Sequence, residues 1–259
     1  MNTVISKDGT TIAYDVQGDG PALIYITGAT CFRNFQPVIS DVKEFSKEFT
    51  VYNYDRRGRG DSGDTSSYTI DREIEDIEVL IDAAGGKARI YGHSSGAVLA
   101  LEAALKLRQK VEKVVIYDAS YVHDNVEQQS YNALAQKVKQ LLDNRKNAKA
   151  LKLFLGEIGM PRPLIWVLPL FPGWKTMKAL APTLMYDIEL TKDLPPLERL
   201  KHCVVPVHIA VGAKNPTGLH VVADQLAKTI PGASYEKVEG QDHMVSAKAM
   251  LPILSKHLS

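Results

Sequence analysis

The chain has 259 residues, of which 45% are hydrophobic and 24% charged, and its 31 basic and 30 acidic side chains leave a net charge of +1. This balance is ordinary for a globular protein with a sizeable core, and it gives no reason to expect binding of nucleic acid or of an anionic membrane. Two cysteines, Cys31 and Cys203, a first segment without a signal-peptide pattern, and the absence of apolar runs near ~20 residues predict a cytoplasmic protein without a membrane span.

Strands and helices alternate along the first 119 residues. The predicted strands are residues 3–6, 11–16, 22–27, 50–54, 88–91 and 111–117. The predicted helices are residues 38–49, residues 72–83, and a segment after the fifth strand that ends near residue 108. Such alternation implies crossover connections and therefore an α/β fold with a parallel sheet.

The pattern changes at residue 120, because residues 120–201 read as helical, without clear strands. Strands are predicted again at 205–211 and 234–238, and helices at 219–229 and 245–258. We therefore expect a core of residues 1–119 and 202–259, and a helical lid of residues 120–201 over the edge of the sheet where α/β proteins bind ligands. The alternative is a helical subdomain that packs only for stability, but the proline-broken apolar stretch 160–174 favours pocket lining.

The segment GHSSG, residues 92–96, lies between a predicted strand and a predicted helix. This G-x-S-x-G pattern is typical of a nucleophile elbow, a sharp turn that exposes the middle serine, here Ser94. Gly92 and Gly96 would let the strand and the helix approach closely. The same pattern occurs by chance in many proteins, and its position between a strand and a helix favours the functional interpretation.

A serine nucleophile needs a general base, and the chain has seven histidines. His243 is the candidate, because it lies in a glycine-containing loop between the last predicted strand and the last predicted helix. His93 adjoins the serine and is expected to point elsewhere, and His208 lies inside a buried strand, where a core role is expected. The others lie at the edges of the insertion, on a helix or near the chain end: His123, His202, His220 and His257.

The third member of a triad orients the base and is usually a carboxylate. In chain order it would lie between the serine and the histidine, but the loop after strand 205–211 has no carboxylate. Asp118 ends the strand next to the elbow strand, so we predict that it is the acid. Two alternatives stay open. Asn215 could act as a neutral orienter, and Asp187 lies in the insertion.

An oxyanion hole is expected to combine two backbone N–H groups. One belongs to Ser95, directly after the nucleophile, and the other to the loop after strand 22–27, where Ala29 is the candidate.

The segment Gly58–Gly63 matches G-x-G-x-x-G and follows a strand, but the polar stretch 64–67 takes the place of the helix that a dinucleotide site requires. We therefore expect no cofactor. No metal-binding motif is present either, so no metal is expected.

The elbow GHSSG, the loop YDRRGRGDSG and the late loop EGQDHM resemble the α/β-hydrolase fold superfamily over nearly the whole chain. The resemblance implies an eight-stranded, mostly parallel sheet flanked by helices, with a helical cap after strand six. It also implies Ser94 as nucleophile, His243 as base, and Ala29 and Ser95 as oxyanion donors.

Two features depart from the family's pattern. Thr27-Gly28 stands where members often have His-Gly, and Asn215 stands where the acid is common. Some members, including certain haloalkane dehalogenases, carry the acid after strand six, which supports Asp118. Those enzymes use an aspartate nucleophile, so Ser94 argues against dehalogenation.

We expect a carboxylesterase-like serine hydrolase that acts on a small acyl compound, because Leu164, Trp166, Leu168 and Phe171 make the lid apolar. One alternative is a catalytically weak sensor or binding protein of the same fold, which Asn215 favours. Another is a C–C bond hydrolase or a lactonase. The sequence carries no signal for the oligomeric state.

Overall fold

The computed structural model describes residues 1–65 and 67–259, so Ser66, within the polar stretch 64–67, lies outside the described residues. Its strands form one sheet with the order β1-β2-β4-β3-β5-β6-β7-β8. The strands are β1 (Asn2–Ile5), β2 (Thr11–Gln17), β3 (Ala22–Ile26), β4 (Thr50–Tyr54), β5 (Ala88–His93), β6 (Val111–Tyr117), β7 (Val207–Gly212) and β8 (Ser234–Val238). β2 pairs antiparallel with β1 and β4, and the other neighbouring pairs are parallel. The predicted eight-stranded, mostly parallel sheet is confirmed.

Helices cover both faces of the sheet. On one face lie α1 (Gln36–Phe45) and α11 (Ala247–Leu258), and on the other lie α2 (Ile70–Ala83), α3 (Ser95–Leu107) and α10 (Thr217–Thr229). Along β3, Leu23 and Tyr25 pack in the hydrophobic cluster on the face of α1 and α11. Ile24 and Ile26 pack in the cluster on the opposite face, with α2, α3 and α10. Both faces of this strand are therefore buried, which explains its uninterrupted apolar sequence.

The segment between β6 and β7 is helical, without a strand in this fully described part of the chain. Its helices are α4 (Asn125–Asp143), α5 (Asn147–Glu157), α6 (Arg162–Val167), α7 (Trp174–Ala179), α8 (Leu184–Thr191) and α9 (Leu197–Leu200). Helices α4 to α8 share a hydrophobic cluster of their own, to which Phe32 of the loop after β3 also belongs. The cap after strand six thus matches the expected fold, whereas the domain boundaries at 119 and 202 stay a prediction.

Two further findings concern membrane-spanning helices and the two cysteines. Within the described residues, no helix is long and apolar enough to cross a membrane. Cys31 and Cys203 are both free thiols, and burial raises the pKa of Cys31 to about 11.

Candidate active site

Ser94 sits at the tip of the turn between β5 and α3. Its backbone has φ 60° and ψ −126°, a conformation that residues other than glycine rarely adopt. Its N–H donates to the Tyr117 carbonyl on the neighbouring strand at 3.0 Å, which helps to hold the turn. A Cβ on Gly92 would lie 2.4 Å from the Gly96 oxygen, and one on Gly96 would lie 2.2 Å from the Ile26 oxygen. The close approach of strand and helix therefore requires glycine at both positions.

His243 lies in the loop between β8 and α11, and three consecutive carbonyls hold this loop. The Gln241 oxygen accepts from the Lys214 N–H at 3.0 Å. The Asp242 oxygen accepts from the Tyr117 hydroxyl at 2.6 Å, and the His243 oxygen is 2.8 Å from Nε2 of His93. The imidazole is thereby fixed from the backbone, and its Nε2 lies 3.1 Å from Ser94 Oγ.

Asp118 follows the last residue of β6, and its carboxylate is fully buried. Its Oδ2 lies 3.0 Å from Nδ1 of His243 and accepts from the Asn215 amide at 2.7 Å. Its Oδ1 accepts from the Gly212 N–H at 3.1 Å. The structure therefore brings Ser94, His243 and Asp118 together in one hydrogen-bonded row.

The hydrogen-bond partners determine the direction of this row. The Gly212 N–H and the Asn215 amide both donate to the Asp118 carboxylate, so this group acts as an acceptor and His243 donates to it through Nδ1–H. The opposite nitrogen, Nε2, then carries a lone pair and accepts from the hydroxyl of Ser94. In this arrangement the imidazole is ready to take the serine proton.

The two alternative orienting residues lie elsewhere in the network. The Asn215 amide donates to the carboxylate of Asp118 at 2.7 Å, and the same carboxylate oxygen contacts the imidazole of His243. Asp187, on α8, accepts from Arg56, Arg59 and the Ser95 hydroxyl.

Two further side chains beside Ser94 were not predicted from the sequence. Ser120 Oγ lies 3.1 Å from Ser94 Oγ and 3.0 Å from the Asp118 carbonyl. His93 was expected to point elsewhere, but its ring holds the backbone of His243. Burial, and to a lesser extent the nearby His243, lowers the pKa of His93 to about 4, so it stays neutral near pH 7. The sequence offers one signal for Ser120, namely a small polar residue two positions after Asp118, where β6 has just ended.

The chain is similar in sequence and in structure to known proteins. The sequence model described as "Alpha/beta hydrolase family" matches residues 23–250. The chain belongs to this family. A crystal structure of an alpha/beta hydrolase from Sphaerobacter thermophilus is similar over 100% of both chains, with 34% identity and a TM-score of 0.88.

Among curated relatives, a proline iminopeptidase of Saccharolobus solfataricus is 25% identical over 253 residues, which cover 89% of this chain and 81% of that protein. A proline iminopeptidase of Pestalotiopsis fici is 28% identical over 135 residues, 49% of this chain and 47% of that protein. The chain thus aligns with about half the length of the second relative.

A cavity of about 440 Å³ opens above Ser94 and His243 in this alpha/beta hydrolase. Ala29 and Ser95, the predicted oxyanion donors, line it together with residues of α4, α5 and α8. Ser95 is the first residue of α3, so its N–H has no acceptor within the helix.

The expectation that the stretch 160–174 lines the pocket is wrong. None of the described cavity-lining residues comes from this stretch. The Trp166 side chain is 79% exposed, and Leu164 and Phe171 are 41% and 52% exposed. The helices that approach the cavity are α4, α5 and α8, because their apolar sides pack together above the sheet.

Two other features lie away from Ser94, a surface groove and a cluster of histidine and glutamate side chains. A surface groove of about 680 Å³ runs along α2, α3 and α8, and its Lys106 is paired with Asp71. At the start of β7, His208 lies against Glu236 and His257, and their ligand atoms are within 4.8 Å of one another. The two imidazole rings are stacked, with centroids 3.5 Å apart and planes 10° apart. Since a lone pair lies in its ring plane, parallel stacked rings cannot both aim at one ion.

Proposed function

We propose that this alpha/beta hydrolase is a serine hydrolase that cleaves a small carboxylic ester or a related acyl compound through an acyl-enzyme. The observation that carries the proposal is the row from Asp118 to His243 at 3.0 Å and from His243 to Ser94 at 3.1 Å, at the floor of a cavity. Both distances are within hydrogen-bond reach, as nucleophilic catalysis requires.

In the proposed reaction, Ser94 Oγ attacks the acyl carbon while His243 Nε2 takes its proton. The N–H groups of Ala29 and Ser95 hold the oxyanion of the tetrahedral intermediate. The intermediate collapses, the alcohol leaves with the proton from His243, and the acyl group remains on Ser94. Water then gives up a proton to His243 and attacks the ester, the bond from the acyl carbon to Ser94 Oγ breaks, and Ser94 regains a proton from His243 as the acid leaves. Asp118 stabilises the imidazolium in both halves of the cycle.

The segment 120–201 would act as the lid of this site. Its apolar contribution to the cavity comes from side chains such as Leu134 and Phe154, which are 6% and 3% exposed. A volume of about 440 Å³ suits a small acyl group with a modest leaving group.

The binding-protein alternative rested on the missing carboxylate at position 215. The carboxylate of Asp118 lies within reach of the imidazole, and Asn215 is bonded to it. That reason for expecting an inactive protein therefore no longer applies. Lactone and C–C bond hydrolysis use the same residues, and a substrate panel separates them from ester hydrolysis.

A second candidate is removal of an N-terminal residue, the activity named for the two proline iminopeptidases. Glu127 and Glu157 line the cavity, and its described lining contains no lysine or arginine. Carboxylates in this position would favour a substrate with a free ammonium group. Hydrolysis of proline p-nitroanilide that exceeds hydrolysis of its N-acetylated form would favour this candidate over the esterase.

The deciding experiment is labelling with a fluorophosphonate probe followed by peptide mapping. We expect the label on Ser94, together with turnover of p-nitrophenyl acetate, and we expect Ser94→Ala to lose both. Ser40→Ala, which removes an exposed hydroxyl from α1, is the matched control. Equal turnover by Ser94→Ala and the unaltered chain would contradict the proposal.

A further inference from the structure

Four charged side chains are buried beside the candidate site. Arg56 and Arg59 come from the loop after β4, Glu73 from α2 and Asp187 from α8, and each residue is 1% exposed. Two cations and two anions balance, which reduces the cost of removing them from water. A buried ionic cluster is nevertheless a poor source of stability compared with apolar packing, so its position next to Ser95 calls for another explanation.

Asp187 connects this cluster to the start of α3. Its Oδ1 accepts from the Ser95 hydroxyl at 2.8 Å and from Arg56 at 2.8 Å, and its Oδ2 accepts from Arg59 at 2.7 Å. Burial alone would raise the pKa of Asp187, but the charges of Arg59 and Arg56 outweigh it and keep the pKa below its ordinary value. The carboxylate is therefore ionised and holds the side chain of Ser95 in one orientation.

Arg59 also reaches the other half of the predicted oxyanion hole. Its Nη1 donates to the Gly28 carbonyl at 2.8 Å. This backbone lies against the nucleophile, because a Cβ on Gly28 would come 2.9 Å from Ser94 Cβ. The Gly28 carbonyl and the Ala29 N–H belong to the same planar trans peptide, so they point in opposite directions.

The hydrogen bond from Arg59 thus fixes where the Ala29 N–H points. With the carbonyl turned toward the buried guanidinium, the N–H faces the opposite side, and Ala29 lines the cavity above Ser94. Within the described residues, no oxygen accepts a hydrogen bond from this N–H. It is therefore available to a ligand.

We propose that Arg59 is a positioning residue of the oxyanion hole, which aims the Ala29 N–H through the Gly28 carbonyl, while Asp187 ties the same guanidinium to Ser95. One carboxylate on α8 then holds both the guanidinium that aims the Ala29 N–H and the side chain of Ser95, so the helical segment 120–201 helps to position the oxyanion hole. The proposal rests on the serine hydrolase function proposed above. A cation on the carbonyl side also polarises the peptide, which strengthens its N–H as a donor.

Arg57 provides a matched control, because it is equally buried in the same loop but points away from the site. It is fully buried and donates to Asp76 at 2.7 and 2.8 Å and to Asp8 at 3.0 Å. Loss of either arginine side chain leaves buried carboxylates without their cation, Asp187 for Arg59 and Asp76 for Arg57. Only the loss of Arg59 also removes the hydrogen bond to the Gly28 carbonyl.

The experiment compares Arg59→Gln with Arg57→Gln in turnover of p-nitrophenyl acetate, in inhibition by a trifluoromethyl ketone, and in thermal unfolding. The ketone forms a tetrahedral adduct with the serine, so its affinity reports on the oxyanion hole. For Arg59→Gln we expect kcat to fall about 10- to 100-fold with KM within about 3-fold, and ketone affinity to fall by a similar factor. For Arg57→Gln we expect kcat within about 3-fold and a lower melting temperature.

Wild-type kcat and ketone affinity in folded Arg59→Gln would overturn the proposal, as would equal losses of kcat in both variants. If Arg59→Gln does not fold, Arg59→Lys keeps a cation beside Asp187 but offers one nitrogen in place of the two that contact Asp187 and the Gly28 carbonyl. We then expect a parallel several-fold loss of kcat and ketone affinity, and unchanged values would overturn the proposal. Failure of the wild type to label at Ser94 would instead remove the proposed function, and this inference with it.

Discussion

Asp118 has a backbone φ of +52°, a left-handed value that aspartate adopts more readily than most residues other than glycine. The turn begins where β6 ends and directs the carboxylate toward the tip of β7, where it accepts from the Gly212 N–H. From there its second oxygen reaches His243. The left-handed turn at this one residue is thus linked to the geometry on which the proposed chemistry depends.

Asp118→Asn should reduce kcat by about 10⁴-fold, because an amide cannot favour the imidazole tautomer that accepts the serine proton. Its two partners at Oδ2, Asn215 and His243, are both donors, so the amide nitrogen would also be badly placed there. Steady-state turnover of p-nitrophenyl acetate measures the effect. Asp242→Asn, which alters an exposed carboxylate in the same loop as the base, should keep wild-type turnover.

Asn215→Ala tests whether the amide supports the acid or replaces it. Its hydrogen bond to Asp118 goes to a charged group, for which about 1.5–3 kcal/mol is typical, and we expect about a 10-fold fall in kcat. A loss as large as that of Asp118→Asn would mean that Asn215 itself orients the base. The ratio of the two kcat values, measured in one buffer, separates these roles.

The site could be predicted from the sequence where its residues follow local patterns. The elbow around Ser94 is contiguous, and Asp118 and His243 each follow a recognisable strand. His93 and Arg59 could not be predicted, because their partners, the carbonyls of His243 and Gly28, are distant in the chain. Nothing in a single sequence states which carbonyl a buried side chain will contact.

Strands β4, β6 and β8 occupy the residues predicted for them, whereas helix boundaries were less accurate. Helix α1 begins at Gln36, two residues before the prediction, and ends at Phe45 instead of residue 49. The N–H groups of Glu48 and Phe49 both bond to the Phe45 oxygen in the turn that leads to β4. Phe49 is buried and matches the apolar spacing of the helix, but it lies in this turn. A prediction from periodicity alone therefore made the helix too long.

At the same scale, the apolar stretch 160–174 was assigned to the pocket because it is rich in large apolar residues. Its prolines instead divide it into short helical pieces, α6 among them, that present Trp166 to solvent. Composition indicated that the segment is unusual, but the direction of each side chain depends on how the helices pack.

Trp166→Ala should therefore leave KM for p-nitrophenyl butyrate within about 2-fold of wild type, because an exposed side chain gains nothing from the substrate. Ile158→Ala removes a partly exposed side chain that does line the cavity, and we expect KM to rise about 3- to 10-fold. The pair should be compared across acetate, butyrate and hexanoate esters. A larger change in KM for Trp166→Ala than for Ile158→Ala would mean that the stretch 160–174 does contact the substrate.

Across the whole molecule, the parallel arrangement followed from the alternation of strands and helices, but the strand order did not. Neighbouring strands such as β6 and β7 are separated in sequence by the helical segment 120–201. Their pairing depends on contacts between distant residues, which local periodicity does not encode. In the same way, the pairing of β7 with β8 brings His208, near the start of β7, against Glu236, and His257 of α11 lies beside them.

This His208 environment predicts a pH dependence of the stability of the whole fold. Burial and the neighbouring His257, assisted by Lys256 and opposed by Glu236, lower the pKa of His208 to about 4. In the unfolded chain a histidine has a pKa near 6.5, so between these values the unfolded state binds more protons. The contribution of neutral His208 to the free energy of unfolding is therefore fully present above about pH 6.5, and it is lost as the pH falls toward 4.

His208→Gln should remove this part of the pH dependence. From the two pKa values, the contribution of His208 to the fall in unfolding free energy between pH 7.5 and pH 5 is about 2 kcal/mol. Urea unfolding at both pH values should show a drop that is smaller by about this amount in the variant. His202→Gln, which replaces a histidine at an exposed position, is the control and should keep the wild-type drop. A variant with an undiminished drop would mean that protonation of other groups, such as the buried His93, accounts for the acid sensitivity.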